Sequence, residues 1–373
     1  MPFEIVFGLV LATRFLLPFT ILRWPLPGVL ACLVVDGVDQ TVFQTFGYDP
    51  PFYQGYDKAM DVFYLGVAYV STMRNWVSMP AFAVSRFLFF YRQVGVVAFE
   101  LSQLRALLLV FPNTFEYFYI AYEGIRSRWN TVRFQLKFWV IVAAVIWIVV
   151  KLPQEYWIHI AKLDFTDTVR DVPWFLPTIA VAVVIAAAVF WWLVRPRLDP
   201  FDHGWQIGAP ALPEAMDTDE ERSAFMSQHG RVGSAATVEK ALLIGLLFVI
   251  FASVLPETEI GPLALFSWTA LLVVLNEVIA LWVVRRGWST ESVVVSFVVR
   301  LIVNLGIVEA LALVVGGRST FRDALFFLLL FSVLITLYDR YRPVYEYRSL
   351  TAVTAKEAGG DRGHHPPPSD PAG

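Results

Sequence analysis

The chain has 373 residues, of which 57% are hydrophobic and only 16% charged, with a formal net charge of −3. Its mean hydropathy is +0.59. A soluble globular domain carries nearer a quarter charged residues, so lipid is the expected solvent, and no basic domain offers itself to nucleic acid. The single cysteine, Cys32, excludes an internal disulfide and any cysteine-based metal site.

In hydrocarbon every backbone N–H and C=O needs an internal partner, which leaves helices or closed barrels. The apolar segments are continuous rather than alternating, so the expected fold class is all-α: a polytopic helical bundle of about ten transmembrane helices. The N-terminal Met-Pro-Phe-Glu lacks a basic stretch, so the first apolar segment reads as a retained span.

In chain order, residues 4–22 and 25–35 read as spans interrupted by Pro18, Pro25 and Pro27. Segments 62–73, 80–99 and 103–123 follow, carrying Arg86, Arg92, Glu100, Arg105 and Glu116 within or between them. Residues 138–152 and 174–194 form the next two spans, the latter flanked by Trp174, Trp191 and Trp192 as interfacial belts. A polar segment precedes the last four spans, 240–255, 263–284, 291–315 and 322–338. The expected regions are therefore a polar N-terminal membrane region (1–135), a transmembrane hairpin (136–197), a cytoplasmic loop (198–239), a four-helix membrane region (240–340) and a disordered tail (341–373).

Lys and Arg cluster at Arg126–Lys137, Arg195–Arg197, Arg285–Arg286 and Arg340–Arg348, which puts these loops and the C-terminus in the cytoplasm of a plasma (inner) membrane. Loop 36–61 carries Lys58 against five aspartates and so belongs outside. That holds if 80–99 and 103–123 both cross; one or three crossings over 80–123 put the loop inside.

Four of those aspartates are the main chemical signal. Asp36 and Asp39 are three residues apart, and Asp57 and Asp61 four apart, so on helices each pair shares a face. Two helix ends joined by a hairpin then aim four carboxylates at one point. Hard divalent cations take such oxygen ligands, and two-metal sites use them to hold phosphate oxygens.

This spacing, over residues 10–75, resembles the CDP-alcohol phosphotransferase signature, D-x2-D-G-x2-A-R, then eight or nine residues, then G-x3-D-x3-D. The signature's first glycine falls on Gln40, its Ala-Arg on Phe43-Gln44 and its later glycine on Tyr53. The resemblance implies Asp36, Asp39 and Asp57 as ligands of Mg or Mn. It implies that Asp61 shares the metals and acts as general base on an acceptor alcohol, which attacks the β-phosphate of a CDP-linked lipid or alcohol; the expected function is a transferase on a phospholipid or polyprenyl-phosphate substrate.

Two further groups stand out. Arg86, Arg92 and Arg105 are candidates to neutralise a lipid phosphate, since forked guanidinium groups suit it. Glu277 and Arg300 fall at similar depth on adjacent antiparallel segments and are expected to face each other, as an ion relay or a structural pair. The aromatic run Phe111–Tyr122 suits an interfacial belt or a stacking surface for a polyprenyl or sugar group. No P-loop, G-x-S-x-G, H-E-x-x-H or dinucleotide fingerprint is present. A transporter or permease built on the intramembrane charges, and a non-catalytic membrane protein, are the alternatives to a metal-dependent membrane transferase.

Overall fold

The computed structural model describes residues 3–46, 53–157, 168, 169, 171–254, 262–286, 293–315 and 321–361. Their regular secondary structure is all helical, with no strand among them. Among the described residues, five helices are long and apolar enough to cross a membrane: Ile5–Leu22, Met79–Ser102, Leu136–Glu155, Phe175–Arg197 and Phe266–Arg285. The chain divides into two compact units.

The N-terminal unit comprises residues 1–69, 80–209 and 249–262. Helix α1 (Phe3–Leu16) runs into a 3-10 turn, Leu17–Leu22, with Pro18 in its first turn. Helix α2 (Pro25–Thr45) starts on a proline, whose missing N–H costs nothing at a helix start. It continues through Asp36 and Asp39, ten residues past the expected end at 35. Gly28 lets α2 close on the turn: a Cβ there would lie 2.7 Å from the Ile21 backbone nitrogen.

Helix α3 (Tyr53–Asn75) carries Asp57 and Asp61. Helix α4 (Met79–Ser102) follows, and Lys58 meets Glu100 at 2.9 Å, joining the start of α3 to the end of α4. The segment expected as one span at 103–123 is instead two helices, α5 (Ala106–Val110) and α6 (Thr114–Arg126). Pro112 lacks the N–H needed to continue a helix, and Phe111 departs from helical geometry, with ψ at 65°.

The aromatic run is core rather than belt. Phe115, Phe118, Tyr119 and Tyr122 are each at most 1% exposed. Phe115 packs edge-on against Phe89, and Tyr122 lies 5.2 Å from the Trp139 ring. Trp139 belongs to α7 (Leu136–Val145), which passes through a π turn, Ile146–Lys151, into α8 (Leu152–Glu155). Helix α9 (Phe175–Val189) is apolar and exposed along its span.

Part of the expected polar loop belongs to this unit. Asp202, Gln206 and Ala209 donate backbone hydrogen bonds to the carbonyls of Arg128, Ser127 and Arg23. Arg128 lies 3.6 Å from the Phe201 ring and 4.8 Å from Trp205. The α1–α2 junction, the end of α6 and segment 202–209 therefore meet at one end of the unit.

The second unit comprises residues 70–79, 210–248 and 263–373. The rest of the polar loop holds helix α10 (Asp219–His229), started by a reciprocal Thr218–Glu221 capping box. Then come α11 (Ala235–Val254), α12 (Pro262–Arg285), α13 (Val293–Val315) and α14 (Phe321–Asp361). Asn276 donates to Asn304 at 2.8 Å and Asn304 to Ser332 at 3.0 Å, stitching α12, α13 and α14 through the interior.

The expected tail from 341 is helical as far as Asp361; residues 362–373 lie outside the described residues. Pro343 sits inside α14, where neighbouring packing holds the helix: Val344 is fully buried with Met216 and Phe225. Arg348 then donates to the carbonyls of Arg74 (2.8 Å) and Trp76 (3.1 Å), capping the end of α3.

Candidate functional site

The four aspartates converge, and an arginine that the spacing argument did not include lies at their centre. Arg14, on α1, is 5% exposed. Its Nη1 donates to Asp39 and Asp57, each at 2.5 Å. Its Nη2 donates to Asp36 and Asp61. Each terminal nitrogen thus joins one aspartate of α2 to one of α3. The four Nη hydrogens of a guanidinium are matched by four carboxylates.

The aspartates are not equivalent. Asp39 is sealed, with its side chain 1% exposed, whereas those of Asp36, Asp57 and Asp61 are 29%, 32% and 36% exposed. These three also each offer a carboxylate oxygen within 4.8 Å of the other two. Cations such as Mg²⁺, Mn²⁺ and Ca²⁺ bind carboxylate oxygens at about 2.0–2.6 Å, so two oxygens on one ion are at most roughly 5 Å apart. The triad meets that limit. Four carboxylates against one guanidinium also leave a formal excess of three negative charges, which suits a divalent cation. Of the four expected aspartates, Asp36, Asp57 and Asp61 form this group, while the sealed Asp39 pairs with Arg14.

A second polar cluster lies one turn along α3. The Tyr64 hydroxyl donates to Glu116, which also accepts from Asn113 Nδ2 at 2.9 Å. The Asn113 backbone N–H reaches Glu155 at 3.4 Å, and Glu155 pairs with Lys151 at 3.3 Å. Glu116, Lys151 and Glu155 are each at most 6% exposed.

The three candidate phosphate arginines have separate surroundings. Arg92 donates to the Phe111 carbonyl at 2.9 Å. Arg86 stacks over Phe82 at 5.7 Å. Arg105 is exposed at the start of α5.

In the second unit Glu277 and Arg300 belong to one network but are joined through intermediates. Lys240, fully buried, donates to Glu277 and, at 2.7 Å, to Asp339. Arg300 donates to Asp339 at 2.5 Å, and Arg342 to Glu277 at 2.7 Å. Depth alone suggested a direct pair; the bridging Lys240 and Asp339 sit at the edges of apolar runs and read as interfacial. On α10, hydrogen bonds from the Thr218 backbone and hydroxyl groups hold the exposed Glu221 carboxyl below its ordinary range.

Comparison with protein families, with characterised proteins and with solved structures finds no match.

Proposed function

We propose that the chain is a plasma-membrane protein whose N-terminal unit binds a divalent cation and transfers a phosphoryl-linked group on a phospholipid or polyprenyl-phosphate substrate. The observation that carries this is the approach of the Asp36, Asp57 and Asp61 carboxylates to within 4.8 Å of one another. These three would hold Mg²⁺ or Mn²⁺, and the ion would supply charge neutralisation at a phosphate. Asp61, the most exposed of the four, is the general base on the acceptor hydroxyl. Arg14 and Asp39 fix the geometry.

The membrane reading is of about ten spans with a cytoplasmic C-terminus. Ten helical runs of 18 or more residues among the described residues support it; the broken α5–α6 pair would make an eleventh crossing. The α1–α2 junction shares an end of its unit with the basic segment around Arg128. Asp36 lies eleven residues along α2 from Pro25, roughly 16 Å at 1.5 Å per residue. The aspartates therefore stand in the half of the bilayer away from the basic end. With that end cytoplasmic, they open outward. An outward site favours a lipid-borne phosphate over a cytoplasmic nucleotide as donor.

The test is turnover in proteoliposomes with Mg²⁺ or Mn²⁺ and lipid-linked phosphate donors. Asp61→Asn should abolish transfer while the protein stays folded and inserted; full activity in that variant would falsify the assignment.

A second reading rests on the hydrogen-bonded line Tyr64, Glu116, Asn113, Glu155 and Lys151, which has the composition of a proton path. Under it, Glu116→Gln abolishes proton flux in proteoliposomes and leaves cation binding unchanged.

A further inference from the structure

A cavity of about 270 Å³ lies in the second unit, lined by residues of α10, α12, α13 and α14. Its polar lining is unbalanced. Arg222, Arg300, Arg340 and Arg342 face three carboxylates, Asp219, Glu277 and Asp339. The rest of the lining is largely aliphatic and includes Ile279 and Val299, which are 41% and 52% exposed and so open the cavity to the apolar surface.

The arginines keep donors in reserve. Arg300 donates to Asp339 through Nη1, and Arg340 to Asp219 through Nη1. No other partner of either is seen among the described residues. Arg222 is 5% exposed, and its Nε is buried without a hydrogen-bond partner. An unsatisfied buried donor costs free energy, and an arginine-rich pocket at low dielectric recovers it by taking an anion. Free phosphate would use the polar face alone and leave the aliphatic mouth open. A phosphate carrying an acyl chain uses both. The depth agrees: Glu277 is eight residues from the α12 end at Arg285, roughly 12 Å at 1.5 Å per residue, within reach of a headgroup drawn in from the interface.

We propose that this cavity is a binding site for an anionic phospholipid, with the phosphate on Arg222, Arg300 and Arg340 and an acyl chain along Ile279 and Val299. The site is separate from the aspartate cluster, and neither depends on the other.

Native mass spectrometry of the full chain in detergent tests it, with phosphatidylglycerol, phosphatidylcholine and inorganic phosphate as probes. Phosphatidylglycerol should be retained in preference to phosphatidylcholine, and millimolar inorganic phosphate should not displace it. Arg340→Gln should weaken retention by about tenfold, the loss of one charge-assisted contact. Val299→Trp, at an exposed apolar position of the lining, should block the aliphatic mouth and weaken retention as well. Equal retention of the two lipids, displacement by inorganic phosphate, or unchanged retention in Val299→Trp would overturn the proposal.

Discussion

Arg14 and Asp39 form a 2.5 Å ion pair in which the two side chains are 4% and 1% exposed. The other three aspartates on Arg14 are roughly one-third exposed. Removing Asp39 leaves Arg14 its three other carboxylates but orphans one sealed Nη1 N–H, typically at a cost of about 1–3 kcal/mol. Asp39→Ala should therefore lower stability by that order, read as a fall in Tm in detergent. Asp57→Asn removes a charge from an over-acidic cluster, and its stability effect should be within about 1 kcal/mol of zero. A larger loss from Asp57→Asn than from Asp39→Ala would reverse the roles given to the two residues.

Two glycines of α2 should respond in opposite directions to alanine. At Gly28 a Cβ would stand 2.7 Å from the Ile21 nitrogen, so backbone must move, at about 1–3 kcal/mol. At Gly37 a Cβ meets nothing within 4 Å, so the gain in helix propensity, about 0.5–1 kcal/mol, should appear as a raised Tm.

The Asn276–Asn304–Ser332 chain crosses three helices with Asn304 fully buried. Asn304→Leu should cost roughly 1–2 kcal/mol, measured by unfolding from mixed micelles. No loss would mean that α12, α13 and α14 are held by apolar packing alone.

The depressed Glu221 carboxyl gives a pH signature. A carboxyl held below its unfolded value adds stability that is present above the unfolded value and lost as pH falls through the folded one. Helix α10 should thus loosen on acidification, in the range just below ordinary glutamate titration. Thr218→Val, which removes the hydroxyl contribution, should move the Glu221 titration upward in an NMR experiment; an unchanged titration would contradict the capping geometry.

The all-helical architecture was legible in the apolar runs, because only helices satisfy backbone groups over such lengths in lipid. The convergence of the aspartates was legible in their spacing of three and four residues. Arg14 was hidden, because it sits alone in the apolar window Ile5–Leu22 and gives no pattern. The available signal was energetic: a guanidinium inside such a window needs carboxylate partners. The extension of α14 past Pro343 was hidden for a different reason. Proline reads locally as a helix end, while the packing of Val344 on Met216 and Phe225 that overrides it involves residues far apart in sequence. The Thr218–Glu221 capping box was readable as Thr-Asp-Glu-Glu, but the surrounding polar segment masked it as loop.

The central claim is that Asp36, Asp57 and Asp61 hold a divalent cation. Titrating Mn²⁺ into the detergent-solubilised full chain, followed by electron paramagnetic resonance, tests it most directly. The account predicts saturable binding that is lost in Asp57→Asn and kept in Glu116→Gln. Absence of saturable binding, or equal binding by the Asp57→Asn variant, would contradict it and leave the aspartates as a structural cradle for Arg14.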